Sequence, residues 1–177
     1  MNVKSGNILL IAGCGRNVGK TTFTCEIIRA NKNIKPVAVK ITSHLHIQTP
    51  GLKEIEKGTD WVISEETNFS TQKDSSLFLQ NGAAKSYLLQ SEKASLKTAF
   101  GKLINLLSEK QPVVIESAAL IDIIQPEIFA IILPEGECQK EKNKALLNRA
   151  DLIIVSDGKQ FHPPSGKIVF NKKWMLK

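Results

Sequence analysis

Cysteine is scarce in this chain: Cys14, Cys25 and Cys138 are odd in number and never spaced as CxxC. That argues against a disulfide framework or a zinc knuckle and suits a reducing compartment. Long hydrophobic runs are missing too. Asn7 to Ala12 is too short for the core of a signal peptide and leads straight into a glycine-rich turn. Ala118 to Pro134 is broken by Asp122, Gln125, Pro126 and Glu127, so it cannot span a bilayer as one helix. With no targeting segment visible, cytoplasm is the expected location and no membrane partner is expected. Repeats, low-complexity tracts and glycine-serine linkers are also lacking, and 177 residues imply one domain over 1–177. The net charge is +7, yet basic-aromatic alternation and a helix-turn-helix pattern are absent. The lysines, including Lys140, Lys142 and Lys144 and the C-terminal Lys172, Lys173 and Lys177, read as solvated faces. Nucleic acid is therefore not an expected partner, whereas phosphate-bearing ligands are favoured by such a field.

What is present is an ordinary globular balance, 42% apolar and 23% charged. Apolar runs of strand length alternate with helical patterns. Strands are expected at Asn7–Ala12, Lys35–Thr42, Lys85–Gln90, Pro112–Ser117, Ile128–Leu133, Asp151–Ser156 and, last, Lys167–Asn171. Helices are expected at Thr21–Ala30, Ser75–Gly82 and Glu141–Arg149, and from an N-cap at Ser91 to about Glu109. Ser43 to Asn68 reads as a long polar connection with one apolar patch at Trp61 to Ile63, and so long a connection usually carries function. Buried strands alternating with helices imply an α/β fold with a mostly parallel sheet covered on both faces.

The most specific feature is GCGRNVGKTT, residues 13–22. A triphosphate needs inward backbone N–H donors, a cation on its β and γ oxygens and a hydroxyl for its metal. Gly15 and Gly19 supply backbone freedom, Lys20 the charge, and Thr21 the hydroxyl for Mg2+. The helix that begins there turns its positive end toward the phosphates. Gly15, Arg16, Asn17, Val18, Gly19, Lys20, Thr21 and Thr22 are thus the candidate nucleotide-binding loop, with Arg16 and Asn17 near the γ-phosphate. Cys14 stands where this pattern usually has glycine; its small side chain is tolerable if its backbone angles are ordinary, with Gly13 sharing the turn. Strand before and helix after complete a P-loop NTPase fold, a three-layer α/β/α arrangement.

A metal-ordering carboxylate should come from a neighbouring strand end. Glu116 closes PVVIES and fits that role, and Asp74 in KDSS is a second candidate for metal or base, though an N-cap accounts for it equally well. Asp60 is weaker. Lys40, His44 and His46 lie at the ligand-binding end of the second strand, with Lys40 placed to meet a phosphate or substrate anion. Lys20, Asp74 and Glu116 are the candidate catalytic residues; Thr21, Glu116 and Asp74 are the candidate metal ligands.

The order of loop, VKITSH, KDSS, NGAA and VVIES resembles the MobB-like accessory proteins of molybdopterin-guanine dinucleotide biosynthesis, P-loop proteins of the SIMIBI class. Lys40, His44, Lys73, Asp74, Ser75, Gly82, Ala83 and Glu116 match the family's positions. The resemblance implies Mg2+, ATP or GTP, and a metallocofactor-biosynthesis protein as partner. It extends to a homodimer, which no apolar stripe marks. Two features depart from it: Glu116 is followed by Ser-Ala-Ala rather than glycine, and Asn171-Lys172-Lys173-Trp174 has tryptophan where a guanine-reading motif has aspartate. Asn171 and Lys172 are nonetheless the candidate base contacts. Three functions compete: a slow Mg-dependent NTPase acting as a switch in metallocofactor maturation, a small-molecule kinase using the same loop with Asp60 or Asp74 as base, and a nucleotide-binding module without turnover.

Overall fold

The computed structural model describes residues 3–15, 17–43, 45, 49–108, 110–136 and 141–177, with backbone alone for 3–6, 141 and 142. The expectations for Arg16, His44, His46, Cys138 and Lys140 lie outside the described residues. The protein is α/β, built on a nine-stranded, mostly parallel sheet. In chain order the strands are β1 (Val3–Gly13), β2 (Val37–Thr42), β3 (Leu52–Lys57), β4 (Trp61–Glu66), β5 (Lys85–Ser91), β6 (Val113–Glu116), β7 (Ile124–Pro134), β8 (Leu152–Ser156) and β9 (Phe161–His162). A separate hairpin joins β10 (Ile168–Asn171) to β11 (Lys173–Leu176). The helices are α1 (Lys20–Ala30), α2 (Asp74–Gln80), α3 (Leu96–Ile104) and α4 (Glu141–Leu147).

The sheet order is β3-β4-β5-β2-β6-β1-β7-β8-β9. Its interior from β5 to β8 is parallel, and only the outer pairings β3-β4, β4-β5 and β8-β9 are antiparallel. The central strand β1 shows why the layers form. Ile8, Leu10 and Ala12 face one buried cluster with Leu96, Phe100 and Leu103 of α3. Leu9 and Ile11 face another, shared with Phe23, Ile27 and Ile28 of α1, Phe78 of α2 and Trp174 of the hairpin. A strand buried on both faces needs an unbroken apolar run, which NILLIA supplies. No helix among the described residues is long and apolar enough to cross a membrane.

Several elements differ from the expected ones. The polar stretch from Ser43 to Asn68 holds the β3–β4 hairpin, which extends the sheet at one edge. Lys53, Glu54, Glu56 and Lys57 made it look like a loop because β3 is an edge strand facing solvent, where charges block further pairing. Ser91 ends β5, paired with Trp61, rather than capping a helix; α3 starts at Leu96 and stops at Ile104. Lys35 is excluded from β2 by its left-handed φ of 50°. Lys167–Asn171 is not the last strand, because β11 folds back on it through a turn at Lys172, φ 62°.

Candidate functional site

The loop after β1 is bent by left-handed conformations at Gly15 (φ 128°), Asn17 (φ 57°) and Gly19 (φ 88°). Cys14 is not among the positive-φ residues; its N–H donates to the Ile132 carbonyl of β7 at 2.9 Å, so the non-glycine residue is accommodated as expected. The glycine that matters sterically is Gly13. A Cβ there would lie 2.7 Å from Val18 Cγ2 and 2.8 Å from Lys20 Cγ. Val18, 7% exposed, plugs the loop into the core beneath α1. Lys20 opens α1, and its ammonium donates back across the loop to the Gly15 carbonyl at 2.7 Å. No acidic residue lies in the first turn of α1 and no side chain caps it, so the helix's own residues leave its positive end open.

Parallel pairing then delivers the charged partners. Glu116 at the end of β6 is registered against Ile11 of β1 and Lys40 of β2. Its carboxylate, 2% exposed, accepts from Thr21 Oγ1 at 3.1 Å and from Lys40 Nζ at 2.5 Å. Lys40 Nζ also lies 2.6 Å from Asp74 Oδ2, at the start of α2. Burial pulls the Lys20 pKa below its usual 10.5, with help from the Lys40 charge, and Glu116 and Asp74 offset this only in part. Burial also acts downward on Lys40, but there the adjacent carboxylates of Glu116 and Asp74 prevail and raise its pKa.

Asn17, Val18, Gly19, Lys20, Thr21, Thr22, Lys40, Asp74 and Glu116 surround one cavity of about 460 Å3. The structure thus brings together most of the residues singled out from sequence. Asn171 and Lys172 are an exception and are corrected here. Asn171 ends β10 and Lys172 makes the turn to β11; the neighbouring Phe170 N–H donates to Asn31 Oδ1 at the far end of α1, and the Trp174 indole donates to the Asn7 and Val113 carbonyls. That is the opposite end of the sheet from Glu116. Asp60 sits in the β3–β4 turn, where its carbonyl accepts from Glu92 N–H.

Two participants carried no signal in the sequence. Phe161 of β9 packs edge-on against Phe23 and so close to Gly19 that a Cβ there would lie 2.9 Å from its ring. Glu66, 4% exposed, accepts from Asn68 N–H and from Ser75 Oγ, each at 2.8 Å, and so fixes the start of α2 beside Asp74.

The donor set fits an anion with its own divalent metal. Among the described residues no three or more of His, Cys, Asp and Glu gather to hold a metal by themselves. Mg2+ needs no such cage, since it uses one or two carboxylates with phosphate oxygens and water. Comparison of the chain with models of protein families, with curated proteins and with solved structures yields no match.

Proposed function

We propose that this protein binds a nucleoside triphosphate with Mg2+ at the β1–α1 loop and hydrolyses it slowly. The observation that carries the reading is the convergence of Lys20, Thr21 and Glu116 at the uncapped start of an 11-residue helix. Lys20 would meet the β and γ oxygens, the Asn17–Thr22 backbone would cradle them, and Thr21 with Glu116 would hold the metal. The metal supplies charge neutralisation to the phosphates when bound. Phosphate binding also accounts for a lysine whose pKa is lowered by burial, since a ligand's negative charge restores what burial costs.

The three-layer P-loop NTPase fold belongs to the same proposal, supported by α1 and α2 packing on one sheet face and α3 on the other. So does the MobB-like role as an accessory or switch protein in metallocofactor maturation, which rests on the order of the loop, Lys40, Asp74 and Glu116. Slow turnover follows from the carboxylates: Glu116 and Asp74 are both engaged by Lys40, so neither stands ready to activate water. Calorimetric titration with Mg-ATP and Mg-GTP tests the reading. Lys20→Ala should cost about 3 kcal/mol, roughly 150-fold in Kd, through its lost charge-assisted bonds. No binding of either nucleotide at millimolar concentration would remove the proposal.

A further inference from the structure

A second cavity, of about 490 Å3, adjoins the loop cavity and shares Lys40 and Asp74 with it. Its size is that of a small-molecule site. The remaining walls belong to elements the nucleotide loop does not use. Thr42 ends β2, Leu88 stands beside Lys40 in register on β5, Thr49 and Leu52 come from the start of the β3–β4 hairpin, and Lys73 precedes α2. Two lysines line it: Lys40 is already held by Asp74 at 2.6 Å and by Glu116 at 2.5 Å, whereas Lys73 pairs with no carboxylate among the described residues. The unpaired Lys73 therefore selects an anion, while Leu52 and Leu88 offer an apolar surface for the rest of its body.

The kind of acceptor follows from the shortage of bases. Glu116 accepts from Thr21 and Lys40, and Asp74 is held by Lys40, so taking a proton from an alcohol would break an ion pair. A carboxylate brings no proton to remove. We propose that this cavity binds a small organic carboxylate with an apolar chain, and that this carboxylate accepts the γ-phosphoryl group. The proposal rests on the nucleotide-binding reading above. One carboxylate oxygen attacks the γ-phosphorus; that P–O bond forms as the bond to the β–γ bridging oxygen breaks, its electron pair leaving on the nucleoside diphosphate. The products are an acyl phosphate and the diphosphate, with no proton transferred and nothing oxidised or reduced. Lys73 is the positioning residue that holds the carboxylate, and Lys40, common to both cavities, stands between it and the nucleotide loop.

The test uses the full chain with the nucleotide that calorimetry shows to bind, and butyrate, hexanoate, octanoate, glutarate and pimelate as probes. Ligand-observed NMR reads probe binding, diphosphate release reads turnover, and hydroxylamine traps an acyl phosphate as its hydroxamate. At least one probe should bind, speed diphosphate release by about tenfold or more through proximity, and give the hydroxamate. Leu52→Trp should abolish all three while leaving the nucleotide Kd unchanged, which also shows that the variant is folded. If that variant fails to fold, Lys73→Glu takes its place and should weaken probe binding by about tenfold through charge reversal. Normal nucleotide binding with no probe bound, or a bound probe without faster release and hydroxamate, or stimulation that survives these variants, overturns the proposal and leaves the nucleotide reading standing. Absence of nucleotide binding in the wild type overturns both.

Discussion

Replacing Lys40 by methionine removes the cation shared by two carboxylates while keeping the aliphatic stem. The ammonium lies 2.5 Å from Glu116 and 2.6 Å from Asp74, whose side chains are 2% and 37% exposed. At an effective dielectric constant of about 20, the first contact alone is worth about 7 kcal/mol of Coulomb attraction. Desolvating Glu116 and Lys40 consumes several kcal/mol of that, and the Asp74 contact, wetter, contributes about 1 kcal/mol or less. Lys40→Met leaves Glu116 buried with the Thr21 hydroxyl as its donor, so the loss should be about 3–5 kcal/mol. The melting temperature should fall by roughly 10 °C. Urea denaturation followed by the fluorescence of buried Trp174 reads it directly. The double variant Lys40→Met/Glu116→Gln should lose much less than the sum of the single changes, because no charge is then stranded. A cost below about 1 kcal/mol for Lys40→Met, or additivity within about 0.5 kcal/mol, would refute the buried-pair account.

Lys20 should show a conflict between binding and stability. Its pKa in the fold lies below the 10.5 of the unfolded chain, so folding disfavours its charged form. Lys20→Met should therefore stabilise the free protein at neutral pH while weakening nucleotide binding roughly 150-fold; the gain is full below the lowered folded pKa and gone once pH passes 10.5, which denaturant titrations at neutral and alkaline pH will show. Cys25 is buried, and desolvation pushes its thiol up to about 11. At pH 8 only about one part in a thousand is thiolate, so iodoacetamide should label Cys25 roughly a hundredfold more slowly than an ordinary thiol, as peptide mapping can measure. Trp174→Phe removes the indole donor to the Asn7 and Val113 carbonyls, bonds of 2.9 and 3.2 Å, and should cost about 1–3 kcal/mol in urea denaturation.

The end of the sheet that carries Glu116 and the β1–α1 loop could be read because local pattern and topology agree there. Lys40 and Glu116 are 76 positions apart, yet Glu116 ends β6 and Lys40 lies in the last half of β2, and parallel strands in register bring their C-terminal ends to one edge. Thr21 reaches Glu116 across 95 positions for the same reason. The β3–β4 hairpin was hidden because its identity depends on pairing with β5, not on its own charged residues. Phe161 against Gly19 was equally hidden, being a contact between the loop after β1 and the short β9 strand. Asn171-Lys172 misled in the opposite direction. A strand followed by Asn-Lys resembles a base-reading segment, but its direction and location came from Trp174, which sequence treated as a lost aspartate and the fold uses as a buried wedge, 1% exposed.

That wedge also has a meaning in time. A ribosome makes β1 early, but β1 is the middle of the sheet: its neighbours β6 and β7 begin at Val113 and Ile124, and the indole that binds the Asn7 carbonyl lies 167 positions downstream. At typical elongation rates that interval lasts roughly ten to thirty seconds. For about the first two thirds of it, until β6 and β7 follow, the central strand of the nascent polypeptide has neither sheet neighbour. The first element able to cover it is α1, whose Phe23, Ile27 and Ile28 meet Leu9 and Ile11 long before the sheet can close.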